Sequence, residues 1–177
     1  MTRNSNAFRP FHDDHRRVLA QLALLEQIIA HPGRLGRLTR RAETTLQELV
    51  TLLFQQFASH MAAEEHVLYP ALLEALPAAG PSIRPLEREH AELRNMLLRL
   101  DALLGQPPGA SRDEQIVVQA RDLVDLLTIH IRKEEYSVLN VARRVLTPEE
   151  ITALGERIAV YRGGARRRRS HTKGPLS

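Results

Sequence analysis

The 177-residue chain contains no cysteine and no tryptophan, and aromatic residues make up only 4% of it. The absence of cysteine excludes disulfide bonds, thiolate nucleophiles, and iron–sulfur or zinc sites held by cysteine. Any metal ion must therefore be bound by histidine, carboxylate or tyrosine side chains. Because the chain is 43% hydrophobic and rich in leucine, the shortage of aromatic residues favours an aliphatic helical core over a β-sandwich.

Long hydrophobic runs are also missing. No segment approaches the roughly 20 apolar residues needed to cross a bilayer, and the first ten residues lack the apolar region of a signal peptide. We therefore expect a cytoplasmic protein without a membrane span.

The net charge of +4 is unevenly distributed along the chain. Six basic residues and no acidic residue follow Tyr161, so residues 1–161 carry 19 basic and 21 acidic residues, a net charge of −2. We expect this basic tail, residues 162–177, to be disordered. Nucleic acid is not an expected partner, because no aromatic residues interleave with the tail arginines.

Apolar residues recur at helical spacing, with breaks at proline and glycine. The pattern predicts four main helices over residues 11–30, 38–67, 82–104 and 111–146. Pro70 is expected to end or kink the second helix. The short connections favour an all-α fold, an antiparallel up-down-up-down four-helix bundle that forms one domain over residues 1–161.

Three helix starts are predicted from capping patterns. Ser82 is the expected N-cap of the third helix, and Ser111 with Glu114 forms an expected capping box for the fourth. Thr147, followed by Pro148 and by Glu150, predicts the start of a short C-terminal fifth helix.

The chain also contains a weak internal repeat. The segments that begin at His15 (HRRVLAQLALLEQI) and at His90 (HAELRNMLLRLDAL) both place apolar residues three, seven and ten positions after the histidine. In each half, the following helix carries the pattern His-x-x-x-Glu-Glu. The repeat therefore supplies two helices with one histidine and two helices with a histidine and a glutamate.

His60 and Glu64, like His130 and Glu134, are four residues apart and so lie side by side on a helix. Their apolar neighbours predict that these groups face the interior, where burial is costly without hydrogen bonds or a metal ion. A single such pair is usually only a polar contact between neighbouring turns. Two pairs in a repeated order favour a metal site.

Four imidazoles and two carboxylates could converge if His15 and His90 face the same interior. Six ligands are too many for a tetrahedral zinc site. They suit two octahedral irons bridged by the carboxylates, with positions left for solvent, O2 or another small molecule.

Between His12 and Leu154, the segments DDHRRVLAQL, HMAAEEHVLYPAL, LEREHAELRNML and HIRKEEYSVL resemble the hemerythrin-like (HHE) domain family. The combined pattern H…HxxxE…H…HxxxE is specific. The resemblance implies a four-helix bundle with a non-haem di-iron centre that has oxo or hydroxo and carboxylate bridges. By position, it implies the terminal ligands His15, His60, His90 and His130 and the bridging ligands Glu64 and Glu134.

The chain departs from the oxygen-carrying members of that family at two positions. Those members have a second histidine four residues after the third-helix ligand, where this chain has Arg94. They have an aspartate five residues after the fourth-helix histidine, where this chain has Glu135. The missing histidine opens a coordination position, which makes reversible O2 carriage less secure and redox chemistry more plausible.

Five further side chains are candidates for an extra ligand or for contact with the ligands: His12, Gln56, Tyr69, Glu87 and Tyr136. His12 and Glu87 stand three residues before the histidines of their helices and could point the same way. Ideal helical angles turn Glu65, His66 and Glu135 away from the ligand histidines. That rotation predicts a solvated or interface role for these three residues.

The sequence thus predicts a di-iron protein that binds O2 or a related oxidant, such as peroxide or nitric oxide, for sensing, storage or binding. One alternative is a di-iron peroxidase or catalase-like enzyme in oxidative or nitrosative stress defence. Another is a metal-free helical interaction module with a nucleic-acid-binding tail. Repair of iron–sulfur centres, known in a related branch, is less favoured because the chain has no cysteine-bearing accessory segment.

Overall fold

The computed structural model describes residues 7–31 and 37–171, with the side chains of residues 165–171 outside the description. All regular structure within these ranges is helical. The α-helices are α1 (Arg9–Ala30), α2 (Arg40–Ala63), α3 (Tyr69–Ala75), α4 (Gly80–Leu104), α5 (Ala110–Lys133), α6 (Leu139–Val145) and α7 (Pro148–His171). None of the helices in these ranges combines the length and apolar character that a membrane span requires.

Two short π-helical turns interrupt the long second and fourth helices predicted from the sequence. Glu64–Leu68 connects α2 to α3, and Glu134–Val138 connects α5 to α6. Pro70 was expected to cause the break in the first half, but Asn140 stands at the equivalent position of the second half, where the same turn forms. Proline is therefore not the common cause of the π-helical turns.

The four long helices contact one another in a closed ring. The contacting pairs are α1 with α2, α2 with α4, α4 with α5, and α5 with α1. Two apolar clusters form the core. One cluster contains residues such as Leu22, Leu53, Leu97 and Leu123 of the four long helices. The other includes Phe8, Leu68 and Leu139, and is completed by α3, α6 and α7.

Two of the three predicted caps are wrong. Ser82 lies inside α4, which begins at Gly80 as a continuation of the 3-10 turn Pro77–Ala79. Helix α5 begins at Ala110 without a side-chain cap, so Ser111 is already helical. At the start of α7 the prediction is confirmed, because the Glu150 backbone N–H donates to Thr147 Oγ1 (3.3 Å) and the Thr147 N–H donates to Glu150 Oε2 (2.7 Å).

The fifth helix is longer than predicted, and the expectation of a disordered tail is wrong for its first ten residues. Helix α7 continues through Gly163 and Gly164 to His171. Its first half is held by the buried side chains of Ile151, Leu154 and Ile158. Arginine has a high helix propensity and no proline interrupts the segment, so the helix can continue beyond Tyr161. The side chains of Arg166–Arg169, and all of residues 172–177, lie outside the described residues.

One buried carboxylate fixes two loops at the same end of the fold. Asp113 is 1% exposed and accepts hydrogen bonds from Arg37 Nε (2.9 Å) and from the Leu38 backbone N–H (3.2 Å). Arg112 Nε donates to the other oxygen of Asp113 (3.1 Å), and its Nη1 donates to the Gln106 carbonyl (2.8 Å). The segment before α2 is thereby tied to the loop before α5.

Asp113→Asn should lower the free energy of unfolding by about 1–3 kcal/mol, because it removes one of the two carboxylates, Asp113 and Glu43, that compensate the buried Arg112 guanidinium. Burial raises the pKa of Asp113, but the Arg37 and Leu38 hydrogen bonds hold it below its ordinary value of 3.8. Its contribution is therefore present above that value and is lost as the pH falls through the lower, folded-state pKa. Urea titrations from pH 7 to pH 3 measure both effects.

The matched control for this substitution is Asp125→Asn, at an exposed position of the same helix. We expect it to change stability by less than about 0.5 kcal/mol. Equal losses in the two variants would contradict the assigned role of Asp113.

Candidate metal centre

Four helices and two π-helical turns bring six polar side chains to one point between the two apolar clusters. Each of the four long helices supplies one imidazole, and each π-helical turn supplies a carboxylate from its first residue. None of the six is more than 2% exposed: His15, His60, Glu64, His90, His130 and Glu134. The structure therefore brings together all six ligands predicted from the sequence.

The Glu134 carboxylate lies between two pairs of imidazoles. Its Oε2 atom is 3.2 Å from His15 Nε2 and 3.8 Å from His60 Nε2. Its Oε1 atom is 3.5 Å from His90 Nε2 and 3.1 Å from His130 Nε2. Each oxygen thus faces one histidine pair.

The Glu64 carboxylate spans the same two pairs from the other π-helical turn. Its Oε1 atom is 3.1 Å from His60 Nε2, and its Oε2 atom is 3.5 Å from His90 Nε2. Within the pairs, His15 Nε2 is 3.0 Å from His60 Nε2, and His90 Nε2 is 3.0 Å from His130 Nε2. The donors form two sets that share Glu134: His15, His60, Glu64 and Glu134 form one, and His90, His130 and Glu134 form the other.

The donor arrangement fits bound metal. Both oxygens of Glu64 and Oε2 of Glu134 are buried without a hydrogen-bond partner among the described residues. Leaving carboxylate oxygens in this state is costly, whereas a cation would satisfy them. The 3.0 Å separations within the histidine pairs equal the edge of an octahedron with metal–nitrogen bonds of about 2.1 Å.

The protein's own charges favour the ionised forms of Glu134, His60 and His90. Burial raises the pKa of Glu134, but the close approach of the four imidazoles holds it well below its usual range. Burial lowers the pKa of His60, but the Glu64 charge raises it well above the usual value. At His90, burial is outweighed by hydrogen bonds to Glu134 and Glu65, which raise the pKa to about 9. Metal binding at neutral pH would therefore release protons.

Every ligand histidine contacts a carboxylate through its other ring nitrogen. The Nδ1 contacts are His15 with Glu135 (2.6 Å), His60 with Asp14 (3.3 Å), His90 with Glu65 (2.8 Å) and His130 with Glu89 (2.9 Å). A carboxylate at Nδ1 keeps a proton on that nitrogen, so Nε2 is the nitrogen that would give up its proton and bind a metal ion at the centre. The four carboxylates are half-buried, and hydrogen bonds with histidine and basic groups outweigh burial and lower the pKa of each.

Sequence reasoning missed two of these carboxylates and misplaced the other two. Asp14 and Glu89 were not considered as partners of the ligands. The solvated or interface role expected for Glu65 and Glu135 is corrected, because both reach a histidine on another helix. The signal was in the repeat: an acidic residue precedes the histidine of α1 and α4, and a second glutamate follows both bridging positions.

Among the further candidates, His12 and Tyr69 lie next to the centre. Tyr69 is 1% exposed, and its hydroxyl donates to Glu134 Oε1 (2.7 Å). His12 Nδ1 contacts Glu135 Oε1 (2.7 Å), so His12 lies one layer outside His15.

The remaining candidates lie elsewhere. Tyr136 is 79% exposed, so a role at the buried centre is corrected. Glu87 is also exposed, and Glu89 of the same helix reaches a ligand instead. Gln56 accepts a hydrogen bond from Gln21 Nε2 (3.3 Å). His66 is exposed and its ring lies 5.7 Å from that of Tyr161, in keeping with the role expected for it.

Aromatic side chains enclose the imidazoles. The Phe57 ring stacks on the His60 ring, with 5.5 Å between the ring centroids. It makes edge-to-face contacts with His90 and His130, at centroid distances of 6.3 Å and 6.0 Å. Tyr69 stacks on the other side of the centre against His90 at 5.9 Å. These rings hold the imidazole planes in place and limit the access of water.

Nitrogen and oxygen donors on four contacting helices define a metal-binding helical domain. The family model of the hemerythrin HHE cation-binding domain matches residues 6–142, and the chain belongs to that family. The chain is also 29% identical over 132 residues to the iron–sulfur cluster repair protein YtfE of Cronobacter sakazakii (strain ATCC BAA-894). That match covers 70% of this chain and 57% of YtfE, so the chain spans just over half the length of this curated relative.

Replacing one histidine of each pair should remove most of the bound metal. His60→Ala combined with His130→Ala leaves each donor set with a single imidazole, while most of the apolar core is unchanged. Metal content is measured by elemental analysis, and helicity by circular dichroism. His66→Ala, which removes an exposed histidine near Glu64, is the control and should retain the metal. Full metal retention by the folded double variant would refute the ligand assignment.

Glu89→Gln should weaken metal binding about 10–100-fold, because an amide orients and polarises His130 less well than a carboxylate. Chelator competition with Co²⁺ gives the affinity. Glu87→Gln is the matched control, since it makes the same chemical change two residues away at an exposed position. If the two variants bind Co²⁺ equally well, the contact between Glu89 and His130 has no role in binding.

Proposed function

We propose that this domain holds two iron ions and binds O2 or a related small oxidant, such as peroxide or nitric oxide, for sensing, storage or binding. The observation that carries the proposal is the division of the donors into two sets that share Glu134. Each oxygen of Glu134 faces a different histidine pair, and the two oxygens of Glu64 face His60 and His90. A single ion would not use both histidine pairs in this way.

We also infer that the four long helices form the antiparallel up-down-up-down bundle predicted from the sequence. Residues after His15 and His90 join the same apolar cluster as residues before His60 and His130. Helices α1 and α4 must therefore run opposite to α2 and α5. This arrangement lets histidines from four helices meet at one level.

Four donors in one set and three in the other would leave about two and three positions on two octahedral ions. Arg94 stands where oxygen-carrying hemerythrins have a further histidine, and its Nη2 donates to Glu65 Oε1 (2.7 Å). Arginine offers no lone pair to a metal, so helix α4 would supply only one nitrogen ligand, His90. When bound, the iron pair would supply reversible binding or reduction of an oxidant at these open positions.

The surrounding side chains control charge and water at the centre. Phe57 and Phe11 pack their rings against His60, which limits water around the ligands. Tyr69 keeps its proton, because burial and the charges of Glu64 and Glu134 raise its pKa. Its hydroxyl therefore remains a donor to Glu134 Oε1 and holds that carboxylate in place.

The second candidate is a di-iron peroxidase or catalase-like enzyme in oxidative or nitrosative stress defence. Arg94 favours it, because the missing histidine leaves room for a substrate on the ion beside His90. The match to the iron–sulfur cluster repair protein YtfE raises repair of iron–sulfur clusters as a further candidate. Repair remains the weaker candidate, because the chain contains no cysteine that could hold a cluster in transfer.

The third candidate, a metal-free interaction module with a nucleic-acid-binding tail, does not explain the buried oxygens without hydrogen-bond partners. It requires that two ionisable carboxylates be buried among histidines without a ligand. A cytoplasmic location remains a prediction.

Iron analysis together with anaerobic spectroscopy tests the proposal. Protein expressed with added iron should contain about two irons per chain, and the reduced protein should change its visible spectrum reversibly on exposure to O2 or nitric oxide. The variant with His60→Ala and His130→Ala is the control and should show neither property. Absence of iron would overturn the proposal. Sustained consumption of peroxide with an electron donor would instead establish the enzyme candidate.

A further inference from the structure

A third layer of groups surrounds the carboxylates that hold the ligand histidines. Each carboxylate also contacts a basic side chain on its outer side. The contacts are Asp14 with Arg162, Glu65 with Arg94, Glu89 with Lys133, and Glu135 with His12. The same order of imidazole, carboxylate and basic group is thus repeated around all four ligands.

Arg94 has the most direct access to a ligand. Its Nη2 lies 2.7 Å from Glu65 Oε1, and His90 Nδ1 lies 2.8 Å from that same oxygen. At Glu89, by contrast, His130 contacts Oε2 and Lys133 contacts Oε1. At Glu135, His15 and His12 share Oε1, and at Asp14, His60 (3.3 Å) and Arg162 (2.7 Å) share Oδ2. Among the described residues, a guanidinium shares an oxygen with a histidine that is closer than 3 Å only at Glu65.

Sharing that oxygen has an electronic consequence. A carboxylate that accepts the Nδ1 proton makes imidazole a stronger electron donor at Nε2. A guanidinium on the same oxygen withdraws electron density and partly neutralises the carboxylate. His90 is then a weaker donor than it would be beside a free carboxylate, and a metal ion at His90 gains less stabilisation in its higher oxidation state.

Arg94 lies at the partly exposed edge of the centre, so packing in the core does not by itself explain its contact with Glu65. The side chain is 34% exposed, and Arg94 is one turn after His90 on helix α4. Its contact therefore joins helix α4 to the first π-helical turn at the edge of the centre.

We propose that Arg94 is a positioning residue that raises the reduction potential of the metal centre by sharing the Glu65 oxygen with His90. The inference rests on the proposed iron occupancy. It adds a specific role for the arginine that replaces the histidine of the oxygen carriers.

The test is the midpoint potential of the iron-loaded full chain, measured by mediated spectroelectrochemistry, in which one electron converts a ferric ion to a ferrous ion. Arg94→Gln should shift the equilibrium about tenfold toward the oxidised form, the low end of the effects known for groups behind metal ligands. For a one-electron couple this is about 59 mV in the negative direction. Arg94→Lys, which keeps the charge, should restore at least half of the shift.

Arg99→Gln is the matched control. Arg99 is on the same helix, and its Nη2 donates to Glu92 Oε1 at the same distance of 2.7 Å, but both side chains are about half exposed and neither contacts a ligand. The potential of this variant should equal that of the wild type. An Arg94→Gln potential equal to that of the wild type would overturn the inference.

A second measurement separates an electronic role from a structural one. If Arg94 only held the site together, Arg94→Gln would weaken Co²⁺ binding. If its role is electronic, the substitution leaves the Glu65 charge uncompensated, and Co²⁺ binding should be unchanged or stronger. Weakened Co²⁺ binding without a negative shift in potential contradicts the inference. The proposed function is tested separately, because it fails if the loaded protein does not respond to O2, nitric oxide or peroxide, whatever its potential.

Discussion

Glu64 and Glu134 place two carboxylates at the centre of an apolar helical core, and the rest of the structure depends on compensating their charge. Neither is measurably exposed, and three of their four oxygens lack a hydrogen bond within the described residues. Four imidazoles, one from each long helix, approach them within 4 Å. This requirement fixes the level at which the four helices meet. Since the compensation is complete only with a cation, folding and metal binding are expected to be coupled.

Outside the two central carboxylates, groups that can carry positive charge and groups that carry negative charge alternate in layers. The imidazoles contact half-buried carboxylates, and these contact basic groups near the surface, as at His90, Glu65 and Arg94. Each layer orients the one inside it, so the Nε2 atoms face inward without any flexible loop at the centre. The apolar clusters on either side confine this polar layer to a thin section of the fold. A polar network that is satisfied in this way specifies one arrangement of the helices.

The convergence of the six central side chains could be predicted because spacing alone places His60 beside Glu64, and the repeat supplies the rest. The next layer could not be predicted with ideal helical angles, which turn Glu65 and Glu135 away from the centre. A π-helical turn begins at the residue before each of them and contains more residues per turn than an α-helix. The side-chain directions of an ideal α-helix therefore do not apply to Glu65 and Glu135. Local capping patterns were also weak guides, since Ser82 lies within a helix that starts earlier from the preceding turn.

The two halves of the repeat remain alike only up to the layer of carboxylates. Asp14 and Glu89 each hold the second histidine of their own half, while Glu65 and Glu135 each hold the first histidine of the other half. This exchange joins the halves around the centre. Outside the carboxylates, the two halves are no longer equivalent. The counterpart of Arg94, four residues after the α1 histidine, is the exposed Leu19. Differences in electronic character between the two sides therefore have two sources: Tyr69, which donates to the Glu134 oxygen that faces His90 and His130, and Arg94, which contacts Glu65 behind His90.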